Sequence, residues 1–124
     1  MKQEGLKQVR EHWYAAYFAG DVEHLAQVQA DNFTVTTERG AQSKKSQLGA
    51  ISAAKQNGRW FPQGGRKHDI ELSIQDSDGN TVITGQGYTL NGSSQGPVVA
   101  FAETWEWDGT VWRVVSLSYS AARN

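Results

Sequence analysis

The sequence predicts an α+β domain in which helices come first and a curved antiparallel sheet then folds around them, leaving an apolar pocket. Three observations predict it. Apolar residues recur at helical spacing through the first half, they alternate with polar residues through the second half, and turn dipeptides punctuate that second half at Asp78-Gly79, Asn91-Gly92 and Asp108-Gly109. Helices segregated from strands point to α+β rather than to alternating α/β.

Leu6, Val9, Trp13 and Tyr17 lie three to four residues apart and mark an amphipathic first helix. Gly20 can end it in a left-handed conformation, and Asp21 can cap the next helix, whose short apolar face is Val22, Leu25 and Val28. Phe33, Val35 and Thr37 alternate with polar neighbours as in a half-buried strand. Leu48, Ile51 and Ala54 return to helical spacing, with Gly58 as the stop and Lys44-Lys45 read as a solvated helix start. Arg59 to Gly65 reads as a loop carrying Trp60 and Phe61. His68, Ile70, Leu72 and Ile74 then alternate with Asp69, Glu71, Ser73 and Gln75, giving a strand with one apolar face. Three further strands are expected over about 81–90, 97–107 and 111–120, joined by the turn dipeptides into a meander.

At 124 residues the chain is the size of one domain, taken here as 1–124. Twelve basic and thirteen acidic residues are mixed along it, so no basic footprint for nucleic acid is visible. The absence of cysteine excludes disulfides, thiolate nucleophiles and cysteine-ligated metal. No metal site or cofactor is expected, because no histidines and carboxylates have ligand spacing. No membrane-spanning run or signal-peptide core is present, which makes a cytoplasmic protein the expectation. Five tryptophans in so short a chain point to a lined core, pocket or interface.

The strand over 97–107 carries the most information. By alternation Phe101, Glu103, Trp105 and Trp107 share one face, which is aromatic except for a single carboxylate. An ionised carboxylate is costly to bury among aromatics, so Glu103 must be hydrogen-bonded, paired with a cation, or kept protonated. It can therefore face a ligand, act as a general acid, orient the core, or lie in a dimer interface. Tyr17 shares the Trp13 face and can donate to a ligand or to Glu103, and Trp60 can sit at a pocket mouth. His68 can reach the pocket or sit at its rim, while His12 and His24 are expected to face solvent. Gly85 and Gly87 within a strand leave room for a ligand or mark a bend.

The run Ala19-Gly20-Asp21 after an aromatic helix, then Ala30-Asp31-Asn32-Phe33-Thr34-Val35, resembles the nuclear transport factor 2-like superfamily. So does the closing pattern Glu103-Thr104-Trp105, Asp108-Gly109, Trp112-Arg113-Val114-Val115 and Ser116 to Ser120. That superfamily includes ketosteroid isomerases, polyketide cyclases and a kinase association domain. The resemblance implies a cone of three helices in a strongly bent sheet, open at one end and dimeric through the sheet's outer face. Laid on the isomerases, Trp13 takes the place of a tyrosine donor, Thr37 that of the aspartate base, with Glu38 beside it, and Glu103 that of the second acid. Laid on the association domain, Glu103 and Tyr119 take the places of pocket arginines.

Three functions follow as expectations. The first is a binder of a small apolar or aromatic molecule, with Trp13, Tyr17, Trp60, Glu103, Trp105 and Tyr119 about the ligand. The second is an isomerase-, cyclase- or dehydratase-type enzyme in which Glu103 and Tyr17 are catalytic. The third is a homodimeric association module without catalysis.

Overall fold

A computed structural model describes residues 2–122, with side chains over 5–122, and Met1 lies outside them. The helices are α1 (Lys2–Ala19), α2 (Val22–Val28) and α3 (Lys44–Gln56). The strands are β1 (Gln29–Thr37), β2 (Gly40–Ser43), β3 (Gly65–Ser77), β4 (Asn80–Asn91), β5 (Ser94–Gln95), β6 (Val99–Trp107) and β7 (Trp112–Ala121). They form one curved sheet of order β2-β1-β7-β6-β4-β3, with β5 on the end of β4. Every pairing is antiparallel except β1 with β7, because the last strand of the meander returns alongside the first strand in the same direction. The short strands β2 and β5 carry no periodicity of their own and are set by their partners.

Helix ends follow local chemistry. Gly20 adopts φ +70°, and α1 closes with Gly20 N donating to Tyr17 O and Asp21 N to Ala16 O, a paired C-terminal cap. The Asp21 carboxylate then accepts from His24 N and starts α2. Ser43 caps α3 by accepting from Ser46 N, and Gly58 at φ +69° closes it as Gly20 closes α1. Lys44 departs from the solvated role expected of it. Its ammonium donates to Ala26 O and Gln29 O, so it satisfies carbonyls at the end of α2.

The core lies between the helices and the concave face of the sheet. Leu6 and Trp13 of α1, Leu25 of α2 and Ile51 of α3 pack on Phe33, Ile83, Phe101, Trp105 and Val114 of the sheet. Strand β3 corrects the expected apolar face. A bulge sets both Ile70 and Glu71 against Gln86, since Asp69 pairs with Gly87 and Glu71 with Gln86. Before the bulge, Lys67 and Asp69 share the inner face with Thr89 and Gly87; after it, Leu72 and Ile74 share that face with Gly85 and Ile83. The apparent stripe His68, Ile70, Leu72, Ile74 is therefore split between two faces. Ile70, Leu72 and Ile74 are about half exposed, and His68 sits outside, stacked on Tyr88 with ring centroids 5.0 Å apart.

Gly85 and Gly87 make the bulge possible. A Cβ on Gly85 would stand 2.1 Å from Glu71 O, and one on Gly87 would stand 2.6 Å from His68 O. Their role is to admit the neighbouring backbone. Across the next turn, Asp78 (φ 48°) and Gly79 (φ 84°) make a two-residue hairpin loop with both residues left-handed.

Candidate functional site

A cavity of about 370 Å³ opens between α1, α3, the Trp60 loop and the sheet. Trp13, Tyr14, Tyr17 and Phe18 of α1 form one wall, with Ile51 and Gln47 of α3 beside them. Val35, Phe101, Leu117 and Tyr119 form the sheet wall, and Trp60 and Lys67 complete it. Trp60 is fixed there because its indole N–H donates to Tyr17 O at 2.6 Å, while its ring meets Tyr17 edge-on at 5.0 Å. Phe61 closes the aromatic cluster, edge-on to Trp60 and Phe18.

Glu103 and Trp105 lie beside this cavity rather than on its wall. Both have zero exposure. On β6 they follow Phe101 inward, where α1 covers them: Trp13 packs edge-on against Trp105 at 5.4 Å. Every partner of Glu103 is a donor. Arg10 Nε reaches Oε1 at 2.8 Å and Oε2 at 3.0 Å, and Arg10 Nη2 reaches Oε2 at 2.8 Å. The Tyr14 hydroxyl donates to Oε2 at 2.6 Å and the Trp105 indole to Oε1 at 2.9 Å. With only donors around it, Glu103 is held as an acceptor, which is the carboxylate form.

Arg10 extends the network. Its Nη1 and Nη2 reach Asp69 at 2.8 and 3.3 Å, and Lys67 Nζ reaches the same carboxylate at 2.9 Å. Two cations and two anions thus form a balanced quartet. Burial alone would ease Arg10 toward deprotonation, but the hydrogen bonds to Glu103 and Asp69 outweigh it and hold it charged, its pKa raised further still. Burial would push Asp69 up, yet Arg10 and Lys67 bring it below the ordinary carboxylate value. Burial lowers Lys67, opposed by the hydrogen bond it donates to Asp69. Tyr14 is pushed well up by burial and then by the Glu103 charge. Tyr17 is pushed up to about 12 by burial, with Tyr119 adding to it.

Of the expected ligand residues, the structure brings Trp13, Tyr17, Trp60 and Tyr119 together on the cavity wall. Tyr14 joins the cavity to Glu103, since it lines the one and donates to the other. Thr37 and Glu38 are not on the wall: the Thr37 hydroxyl accepts from Arg39 N, and Glu38 accepts from Ala121 N at the surface. Sequence reasoning missed Arg10, Tyr14, Lys67 and Asp69. Arg10 had a signal: it falls four residues after Leu6 and three before Trp13, on the apolar stripe of α1. An arginine there needs a buried anion, and Glu103 needed a buried cation. Among the described residues, no group of histidines and carboxylates could hold a metal ion, and no helix is long and apolar enough to cross a membrane.

Solved structures share the whole arrangement of helices and sheet. A protein from Cytophaga hutchinsonii ATCC 33406, described as nuclear transport factor 2-like, superposes with a TM-score of 0.77 at 14% identity, over 98% of this chain and 99% of that one. The chain has the nuclear transport factor 2-like fold. A nuclear transport factor 2-like protein with a cystatin-like fold from Novosphingobium aromaticivorans superposes with a TM-score of 0.78 at 11% identity, over 98% of this chain and 82% of that one. A candidate calcium/calmodulin-dependent protein kinase type II association domain from Thiobacillus denitrificans gives 0.72 at 14% identity, over 94% of each chain. Several such neighbours are described as of unknown function. No protein-family model matches the sequence, and no curated protein matches it significantly.

Proposed function

We propose that this chain binds a small apolar or aromatic molecule in the cavity between α1, α3 and the sheet. One observation carries the reading: a cavity of about 370 Å³ walled by Trp13, Tyr14, Tyr17, Trp60, Phe101 and Tyr119. That size and that aromatic lining with few polar groups are what a small-molecule site requires. Trp60, tied to the end of α1, closes one side of it. In this reading Glu103 orients Tyr14 and Arg10 without touching the ligand. Acid–base chemistry by Glu103 and Tyr17 has less support, because both Glu103 oxygens are taken by donors and the side chain is fully buried.

A second copy of the chain on the sheet's outer face belongs to the same proposal. Two neighbours are described as association domains, and the outer face presents small side chains in register, Ala102 beside Thr84 and Ser118.

The binding test is a panel of hydrophobic and aromatic compounds, read by thermal stabilisation and by tryptophan fluorescence, since Trp13 and Trp60 line the cavity. Compounds that bind should raise Tm of the wild type and do nothing for Ala50→Trp, which fills the cavity from the exposed face of α3. A panel with no binder, or binding unchanged in Ala50→Trp, rules the reading out.

A further inference from the structure

The cavity wall is mostly apolar, and the charge it carries is positive. Among the described residues, Lys67 is the single charged one on it. Its side chain is 10% exposed, and Nζ lies 3.3 Å from the Phe101 ring centroid and 4.6 Å from that of Tyr14. An ammonium has three N–H donors and no acceptor, and among the described residues one donor goes to Asp69. Gln47 adds to the same side: its amide oxygen already accepts from Gln29, which leaves its NH₂ to donate. Buried donors left without acceptors are unfavourable, so the occupant that suits this wall must bring acceptors.

From these free donors on Lys67 and Gln47 we infer that the ligand is an apolar molecule that presents an sp² oxygen, a carbonyl or a carboxylate, to Lys67. The inference rests on the cavity reading above and names the chemistry of the guest. A cationic amine is the poorer match, since it would set a second ammonium in a cavity that already holds Lys67. The Lys67–Asp69–Arg10–Glu103 quartet holds the lysine in place: Arg10 donates two bonds to Asp69 and three to Glu103. The ammonium is thereby aimed from a rigid base rather than left on a free stem.

The test uses four compounds sharing one naphthalene body: 2-naphthoic acid, methyl 2-naphthyl ketone, 2-ethylnaphthalene and 2-naphthylethylamine. Affinities are measured by calorimetry on the wild type and Lys67→Met. At least one of the acid and the ketone should bind the wild type about ten-fold or more tighter than the hydrocarbon and the amine, as a charge-assisted hydrogen bond implies. Which of the two does so identifies carboxylate or carbonyl as the source of the oxygen. In Lys67→Met the preference should vanish while hydrocarbon affinity holds. Hydrocarbon or amine binding the wild type as tightly as both oxygen compounds overturns the inference and leaves the cavity reading standing. A preference that survives Lys67→Met overturns it too, and the wild-type comparison decides the matter even if that variant does not fold. Binding of none of the four overturns both readings together.

Discussion

Glu103 has zero exposure on the strand face it shares with Phe101 and Trp105, where an isolated carboxylate would cost several kcal/mol. The charge persists because Arg10, Tyr14 and Trp105 supply donors to both oxygens. Removing one member strands the others, since Arg10 is itself only 7% exposed. Glu103→Ala should therefore lower unfolding free energy by about 3–5 kcal/mol, measured by urea denaturation. A loss below about 1 kcal/mol would show that Arg10 finds water or another anion. The tyrosines carry a pH dependence of known sign. Tyr17 titrates near 10.0 when unfolded and is pushed up to about 12 in the fold by burial and then by Tyr119. The folded state holds that proton more tightly, so the stabilisation is complete below pH 10 and disappears as pH rises toward 12. Stability measured across that window should fall more steeply in the wild type than in Tyr17→Phe. Parallel curves would remove Tyr17 as the cause.

At the scale of elements, β3 explains why part of the site was illegible. Alternation of His68, Ile70, Leu72 and Ile74 is uninterrupted in sequence, and nothing in it marks the bulge at Ile70-Glu71. The bulge depends on the neighbouring strand, where Gly85 and Gly87 admit backbone. Misreading it hid Lys67 and Asp69, which looked like the solvent side of a strand and lie on its inner face. The helices were legible because their signals are local: Gly20 and Gly58 stop them, and Asp21 starts α2. The Glu103 environment was half legible. Its face and the need for a partner follow from alternation, while Arg10 hid within an apolar stripe as an apparent exception. Gly85→Ala should destabilise the protein by about 1–3 kcal/mol, because its Cβ would overlap Glu71 O in the bulged strand. Gly49→Ala in α3, with nothing within 4 Å of the new Cβ, should instead stabilise by about 0.5–1 kcal/mol. Denaturation midpoints compare the two, and equal effects would mean that the bulge relaxes at no cost.

The whole molecule places most of its aromatic residues on the concave side of the sheet, with Tyr88 an exception, and a patch of mostly small residues on the convex side. Trp13, Trp105 and Phe101 fill the inside. Outside, Val82, Thr104 and Ser116 align across β4, β6 and β7, followed by Thr84, Ala102 and Ser118, then Gln86, Ala100 and Ser120. Mostly short side chains in register, free of charge over these three rows, make a surface that a second copy can approach closely. A stable dimer takes roughly 800 Å² per partner, about a tenth of the 7866 Å² surface of this chain. The cavity wall uses the opposite side of the same strands, Phe101 and Leu117 among them. Pairing of two copies would therefore stiffen the sheet behind the cavity without covering its lining. Under the proposed dimer, sedimentation should give twice the monomer mass of 13.7 kDa. Ala102→Arg, at the centre of that surface, should yield a folded monomer with unchanged circular dichroism and weaker ligand binding. A wild type that sediments as a monomer at every concentration, or a dimer indifferent to Ala102→Arg, would place the contact elsewhere or remove it.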